Sequence, residues 1–184
     1  MSDVNINGQN FAQLISLLEK EGRSWIVTQH EAHSEKSSEL DSGTRLALGP
    51  FYKSDTLSTA RICEVSQIEN PSFYSDLEEQ GISMPLDFRE MAGITFIDTI
   101  LIAPSKFKEE YRISLLFHEC VHVAQYRHLG LERFVREYVT GWAGNNFDYD
   151  KIPLEAQAYQ LQHSFESDPD KVFSVETEVA QKWG

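Results

Sequence analysis

Two histidines and a glutamate lie close together in the second half of the chain, inside a stretch that is otherwise strongly apolar. Residues 115–125 read L-L-F-H-E-C-V-H-V-A-Q, so His118 and His122 are four residues apart and Glu119 follows the first of them. On a helix, at about 100° per residue, the two imidazoles fall within about 40° of one another and can reach one metal ion. Glu119 is turned aside from that pair, where it can act as a general base on a water molecule. The spacing therefore predicts zinc-dependent hydrolysis.

The apolar surroundings favour this interpretation over two unrelated histidines that are each satisfied by hydrogen bonds. Leu116, Phe117 and Val121 cover much of the remaining circumference, so the helix is predicted to be buried with one narrow polar stripe. Burying two imidazoles and a carboxylate is costly unless a partner such as a divalent ion compensates. Gln125 lies on the same stripe and is predicted to orient His122. A hydrogen bond between helices, unrelated to a metal, is the alternative role for this glutamine.

A third ligand must come from elsewhere in the chain, because a catalytic zinc ion takes three protein ligands. The strongest candidate is Glu155 in I-P-L-E-A-Q-A-Y, a carboxylate with apolar neighbours at the start of another predicted helix. The alternative is that Glu155 only complements the positive end of its own helix. His163, which lies in a later helix than the motif, and His128, six residues after His122, are weaker candidates.

The sequence around the motif resembles a known family of zinc enzymes. The run L-L-F-H-E-C-V-H-V-A-Q-Y-R-H-L-G, then F-V-R-E-Y and Y-D-K-I-P-L-E-A-Q-A-Y, is similar to zincin-like metallopeptidases of gluzincin type. It is most similar to short bacterial families with H-E-x-x-H-x-x-Q, which tend to carry a T-F-x-x-x-I hairpin, matched here at residues 95–100. The resemblance covers residues 93–159. It implies that the two histidines and Glu155 are zinc ligands and that Glu119 is the catalytic base.

The resemblance also implies a peptidase that acts on a peptide or protein substrate. Residues 94–102 would hold the extended substrate by strand addition. A further donor must stabilise the negative charge that develops on the substrate oxygen. The candidates for this donor are Tyr149, Tyr159, His163 and Arg127. Larger gluzincins often have an aspartate four residues after the ligand glutamate, to support a histidine, whereas this chain has Tyr159 there. The residue that supports the histidine is therefore unassigned.

The overall composition limits the possible partners. The chain has 184 residues, with 16 Lys or Arg and 29 Asp or Glu, so its net charge is −13. This charge disfavours nucleic acid and an anionic membrane surface as partners. No apolar run reaches about 18 residues and no signal peptide is recognised, so we expect a cytoplasmic protein, with export by a route without a cleaved signal as the alternative. The length suits one domain over residues 1–184.

Strand signals lie mainly in the first half of the chain and helix signals in the second. Strands are predicted at residues 25–28, 45–51 and 60–65, and a polar loop at 30–44. A hairpin is predicted at residues 92–104, with one long strand as the alternative. Helices are predicted at residues 10–22, 106–128 and 131–142, and from Pro153 and Asp168 onwards. This order predicts an α+β, zincin-like fold, in which a small antiparallel sheet packs on the central motif helix and the C-terminal half is helical.

Two other functions compete with a peptidase. One is a zincin-like binding or structural domain whose metal site is vestigial or only stabilising. The other, by analogy alone, is an effector delivered by a bacterial secretion or injection apparatus. The complete motif favours the hydrolase, because a purely structural metal site does not need Glu119.

Overall fold

The computed structural model describes the backbone of residues 8–184 and the side chains of residues 11–184. Within this part of the chain, seven α-helices and four short strands form an α+β fold, as predicted. The helices are α1 (Gly8–Ser34), α2 (Ser42–Leu48), α3 (Ser54–Thr59), α4 (Phe73–Glu79), α5 (Arg112–Gly144), α6 (Pro153–Ser167) and α7 (Val175–Trp183). The strands are β1 (Ser38–Glu39), β2 (Arg61–Glu64), β3 (Gly93–Phe96) and β4 (Thr99–Ile102). None of the described helices is both long and apolar enough to cross a lipid bilayer.

The strands form one mixed sheet in the order β1–β2–β4–β3. β1 pairs antiparallel with β2, and β3 with β4, but β2 and β4 are parallel, with Ile62 beside Ile100. The predicted antiparallel sheet is therefore wrong for this central pair. Residues 65–92, which include α4, carry the chain to the far edge of the sheet. The hairpin then brings β4 back beside β2 in the same direction, which is the arrangement that needs a long crossover.

The hairpin predicted at residues 92–104 is confirmed, and it places β3 at the edge of the sheet. Ile97 and Asp98 form its two-residue turn, and Ile97 has a φ of 64°. Such turns need a positive φ, which a β-branched residue rarely adopts. The turn brings β4 into the fully buried position between β2 and β3, while β3 remains beside the helix that carries the motif.

Helix α1 replaces a strand and part of a loop that the sequence predicts. The strand predicted at residues 25–28 is wrong, since α1 continues through Gly22, where we expected a helix to end, and into the predicted loop at 30–44. A glycine inside a helix costs only about 1 kcal/mol relative to alanine. Leu18 and Trp25 lie on one face of α1, which packs against α5 and β3. These tertiary contacts outweigh the strand propensity of residues 25–28.

The strand predicted at residues 45–51 is also wrong, because most of it belongs to α2. Asp41 caps this helix: its carboxylate accepts hydrogen bonds from the backbone N–H and the hydroxyl of Thr44. A capped first turn satisfies donors that would otherwise lack partners, which favours the helix over the strand.

Helix α5 carries the motif and lies at the centre of the molecule. It begins at Arg112, later than predicted, after two short 3-10 turns. Gly130, with φ 71° and ψ 163°, breaks it at the predicted position, so the two predicted helices are two segments of α5. Residues 116–126 are buried throughout. This segment packs against β3 on one side and against α6 and α7 on the other.

The last two helices, α6 and α7, pack against the side of α5 that faces away from the sheet. α6 starts at Pro153, as predicted, with the proline in its first turn. α7 starts at Val175 and not at Asp168, because the Ser174 hydroxyl accepts a hydrogen bond from the backbone N–H of Thr177 and caps the helix there.

Candidate metal centre

The two motif histidines point the same way from the buried segment of α5. His118 and His122 are each 5% exposed, and their Nε2 atoms are 3.1 Å apart. One turn of helix separates them, so the backbone fixes this spacing before any other element contributes.

Glu155 approaches the same point from the first turn of α6. Its Oε2 atom lies 3.3 Å from the Nε2 atom of His118 and 3.3 Å from the Nε2 atom of His122, and its side chain is buried. Pro153 packs within contact distance of Gly141 on α5, a close approach that a side chain at position 141 would prevent. The first turn of α6 therefore places the Glu155 carboxylate beside the imidazoles of His118 and His122.

The three atoms form a nearly equilateral triangle that fits a metal ion. Two ligands at about 2.0–2.2 Å from a tetrahedral ion lie roughly 3.3 Å from one another, which matches the sides of 3.1, 3.3 and 3.3 Å. Two histidines and a glutamate are also a donor set of catalytic zinc sites, with one position left open. Among the described residues, no other group of three His, Cys, Asp or Glu side chains converges in this way.

Two glutamines set the orientation and tautomer of the histidines. The Nδ1–H group of His122 donates to Gln125 Oε1 at 2.8 Å, and that of His118 donates to Gln162 Oε1 at 3.0 Å. The amide orientations follow from their other partners, since Gln125 Nε2 donates to the Leu154 carbonyl and Gln162 Nε2 donates to the Ser114 hydroxyl. Because each Nδ1 donates to a glutamine, each Nε2 is directed at the centre of the triangle and can bind a metal ion once it carries no proton.

The network behind Gln125 extends to the C-terminal helix. Gln157 Oε1 accepts hydrogen bonds from Gln125 Nε2 at 3.1 Å and from Trp183 Nε1 at 2.7 Å. Gln157 Nε2 in turn donates to the backbone carbonyl of Glu178 at 3.0 Å. The side-chain nitrogen and oxygen atoms of Gln125 and Gln157 all have partners, so His122 is connected rigidly to α6 and α7.

The charges in the cluster favour a bound cation. Burial raises the pKa of Glu155, but the imidazoles of His122 and His118 more than offset this and hold the pKa well below its usual range. Burial lowers the pKa of His122, but the Glu155 carboxylate outweighs that effect and raises the pKa to about 9. Without an ion, a proton is therefore held among the three converging atoms, and a metal ion can take its place.

Glu119 lies beside the triangle and is held by β3 instead of by the helices. Its side chain is 4% exposed, and its Oε2 atom accepts a hydrogen bond of 2.7 Å from the Thr95 hydroxyl. A Cβ atom on Gly93 would lie 2.7 Å from Glu119 Oε1, so only glycine permits this approach. Burial raises the pKa of Glu119, although His118 and His122 oppose the shift. A raised pKa makes this carboxylate better able to accept a proton near neutral pH.

Three tyrosines surround the cluster. Tyr138, on the second segment of α5, donates from its hydroxyl to Glu155 Oε1 at 3.1 Å. The Tyr159 ring lies 4.5 Å from the His118 ring, between centroids, and is 46% exposed. Tyr149 is half-buried and lines the same cleft as Glu119. Burial raises the pKa of Tyr159 to about 12 and that of Tyr149 well above its usual value, so both hydroxyls remain protonated donors at neutral pH.

An open cleft of about 890 Å³ runs past this site. It passes His118 and Glu119 and follows the stretch before α5, with Lys106 and Tyr111 on its wall. Its volume suits a ligand of several residues.

The remaining candidates from the sequence do not join the cluster. His128 is exposed and makes no contact with the ligand atoms. His163 is exposed and lies 3.4 Å from the Ser167 hydroxyl. Arg127 is exposed and donates to Thr59. None of the three lines the cleft, so the structure brings together His118, His122 and Glu155 without them.

Sequence reasoning assigned no role at the metal centre to four residues that touch the histidines, Glu155 or Glu119 directly. Gln162 had a usable signal, because it lies seven residues after Glu155 and hence on the same face of α6. Thr95, Gly93 and Tyr138 had none, because their positions depend on how β3 and the second segment of α5 meet the motif.

Comparison of the chain with models of protein families, with curated proteins and with solved structures finds no match. The resemblance to zincin-like metallopeptidases therefore stays a prediction, and the functional argument depends on the site itself.

Proposed function

We propose that this protein is a zinc-dependent hydrolase that cleaves peptide bonds. The observation that carries the proposal is the position of Glu119, buried beside a three-ligand triangle but not part of it. A purely structural metal site gains nothing from such a carboxylate, which costs free energy to bury. Here the chain uses a threonine and a glycine of β3 to hold it in place.

His118, His122 and Glu155 would hold the zinc ion. When bound, such an ion polarises a carbonyl oxygen and lowers the pKa of a coordinated water to about 7. The glutamine partners of both histidines keep their Nε2 lone pairs aimed at the centre, so the ligands need no rearrangement to bind.

Glu119 is the general base of the proposed reaction. It accepts a proton from the attacking water as the water oxygen bonds to the substrate carbonyl carbon. It then passes the proton to the leaving nitrogen as the C–N bond breaks, which yields a carboxylic acid and an amine. The hydrogen bond from Thr95 keeps one carboxylate oxygen fixed and leaves the other free to exchange the proton.

The substrate would lie in the cleft, which reaches β3 at its first residue, Gly93. Among the described strands, β3 has β4 as its one neighbour, so its other edge can pair with an extended peptide. Tyr159 and Tyr149 are the two remaining candidates for stabilising the developing negative charge, since both are protonated and lie at the cleft.

The test combines metal analysis with one isosteric substitution. We expect about one zinc ion per purified chain and hydrolysis of a quenched-fluorescence peptide library. Glu119→Gln is expected to keep the zinc and to lose more than about a hundredfold in turnover, because general base catalysis is worth roughly 10²–10⁴. Glu78→Gln, an exposed change on α4, serves as the matched control. Comparable turnover by Glu119→Gln would rule out the proposed base.

A second candidate is a binding domain whose zinc ion only stabilises the fold. The buried network from His122 through Gln125 and Gln157 to Trp183 favours it, since that network connects the metal ligands to α6 and α7 as a structural site would. This candidate predicts zinc in the purified protein, a large loss of thermal stability on chelation, and no turnover in either the native protein or Glu119→Gln.

A further inference from the structure

The polar faces of α5 and α6 continue beyond the ligand triangle. On α5, Ser114 lies four residues before His118 and therefore on the same face of the helix. On α6, Gln162 and Glu166 are four residues apart and share a face in the same way. The reaction proposed above uses none of Ser114, Gln162 and Glu166, so their arrangement beside a zinc ligand needs a separate explanation.

These three side chains form a closed triangle of hydrogen bonds next to His118. Gln162 Nε2 donates to Ser114 Oγ at 2.8 Å and to Glu166 Oε1 at 3.1 Å. The Ser114 hydroxyl donates to the same carboxylate oxygen of Glu166. Gln162 Oε1, the other end of the amide, accepts from the Nδ1–H group of His118 at 3.0 Å. The triangle therefore stands directly behind the hydrogen bond that orients His118.

The support of His118 differs in its surroundings from the support of His122. Ser114, Gln162 and Glu166 all line the open cleft, and Glu166 is exposed. The glutamines behind His122 are buried instead, and their partners include backbone carbonyls, which can only accept. Those carbonyls fix the amide orientations on the His122 side. On the His118 side, a side chain must do so.

Within this triangle, Glu166 is the member whose direction of hydrogen bonding is fixed. A hydroxyl can donate or accept, and an amide has a donor at one end and an acceptor at the other, whereas an ionised carboxylate only accepts. Without Glu166, Ser114 could donate to Gln162 Oε1 and the amide could turn over. His118 Nδ1 would then accept from Gln162 Nε2. The imidazole proton would move to Nε2, the atom that must bind the metal ion.

We propose that Glu166 is a positioning residue of the metal centre. By accepting from both Ser114 and Gln162, it selects the tautomer of His118 whose Nε2 atom is free to bind zinc. It acts through Gln162 and contacts none of the three ligand side chains. The proposal rests on the zinc site of the function proposed above, but it does not depend on the reaction that the site catalyses.

The first test reverses the direction of the hydrogen bonds. Glu166→Lys replaces an acceptor by a donor, so Gln162 is expected to turn its Oε1 atom towards the ammonium group and its Nε2 atom towards His118. Zinc affinity is expected to fall by roughly tenfold. This is the lower end of the loss for residues that orient a ligand histidine, because water in the cleft competes for the same groups. Asp170→Lys, an exposed change of the same charge just after α6, is the matched control.

A second substitution is expected to rescue the first. Gln162→Glu places a carboxylate beside His118, and a carboxylate accepts from the Nδ1–H group without needing Glu166 to orient it. In the double variant Gln162→Glu/Glu166→Lys, the ammonium group faces this carboxylate and zinc affinity should return to within a few-fold of the native value. A double variant that binds zinc no better than Glu166→Lys would overturn the proposal.

The exchange of the imidazole protons separates positioning from a change in surface charge. In the cobalt(II)-loaded protein, the N–H protons of ligand histidines give paramagnetically shifted NMR signals. The His118 signal is expected to exchange slowly with water in the native protein and the double variant, and rapidly in Glu166→Lys. The His122 signal, which has its own support, should stay slow in all of them. Slow exchange of the His118 proton in Glu166→Lys would overturn the proposal.

Both readouts need metal binding but no turnover, so the outcomes separate this proposal from the hydrolase. Glu166 is exposed, and thermal unfolding of the metal-free variants checks that they fold. Native zinc affinity in Glu166→Lys would contradict the positioning role alone. Absence of zinc binding by the native protein would contradict the metal centre, and the positioning role would fall with it.

Discussion

The two sides of the site are supported by different parts of the molecule. On the side of the proposed zinc ligands, called the ligand side, His118 and His122 receive their orientation from Gln162 and Gln125, and the network continues into α6 and α7. On the side of the proposed general base, called the base side, Glu119 is held by Thr95 and by the absence of a side chain at Gly93, both on β3. The two sets of supporting contacts share no residue. Metal affinity and turnover should therefore respond to different substitutions.

The largest effect is expected from a ligand. Glu155→Ala removes one of three ligand atoms and leaves two imidazoles without their neutralising carboxylate. Zinc affinity should fall by more than about a hundredfold, since even residues outside the ligand set are worth 10–100-fold. Competition with a fluorescent chelator measures the affinity. Full retention of zinc would mean that another residue completes the site.

A substitution on the base side should change turnover alone. Thr95→Val keeps the shape of the buried side chain but removes the hydrogen bond to the Glu119 carboxylate. A hydrogen bond to a charged group contributes about 1.5–3 kcal/mol, so turnover is expected to fall by roughly 10–100-fold at unchanged zinc affinity. Steady-state kinetics beside a chelator titration tests this. A parallel loss of zinc affinity would contradict the separation of the two sides.

A substitution on the ligand side should instead change zinc affinity and leave turnover at saturating zinc unchanged. Gln162→Leu removes the acceptor of the His118 Nδ1–H group from a half-buried position. Zinc affinity is expected to fall by about 10–100-fold, as for other residues that orient a ligand histidine. At saturating zinc, the turnover of this variant should return close to the native value. Turnover that stays low at saturation would show that the glutamine also serves the reaction.

The smallest effect is expected from the tyrosine that touches Glu155. Tyr138→Phe removes one hydroxyl from the free oxygen of this carboxylate and preserves the ring. Because a bound zinc ion would offset the charge of Glu155, we expect this hydrogen bond to contribute about 0.5–1.5 kcal/mol, as between uncharged groups, which corresponds to at most roughly a tenfold loss of zinc affinity. Isothermal titration calorimetry resolves such a change. A loss as large as that of Glu155→Ala would mean that Tyr138 positions the ligand and does not only assist it.

The difference between the ligand side and the base side also explains which residues of the site could be predicted from the sequence. Two histidines at i and i+4 with a glutamate between them are a local pattern, so their relation follows from helix geometry alone. Glu155 could be predicted from the sequence because a carboxylate with apolar neighbours is unusual. Gln125 could be predicted because it lies on the same helix stripe as the two histidines.

The contacts that hold Glu119 were beyond the reach of local sequence patterns. Thr95 meets Glu119 only because the edge strand packs against the motif helix. Residues 25–28 have strand propensity, yet packing against α5 and β3 makes them part of α1. Helix α1 supplies Gly22 and Trp25 to a cavity of about 110 Å³ that also reaches Glu119, so this cavity could not be predicted from local patterns.

The most direct test of the account is anomalous diffraction at the zinc edge from crystals grown with zinc. The account predicts one peak within about 2.0–2.2 Å of His118 Nε2, His122 Nε2 and a Glu155 oxygen. Glu119 should lie beside the peak and outside the ligand set. A peak coordinated by other residues, or imidazoles without density between them, would contradict it.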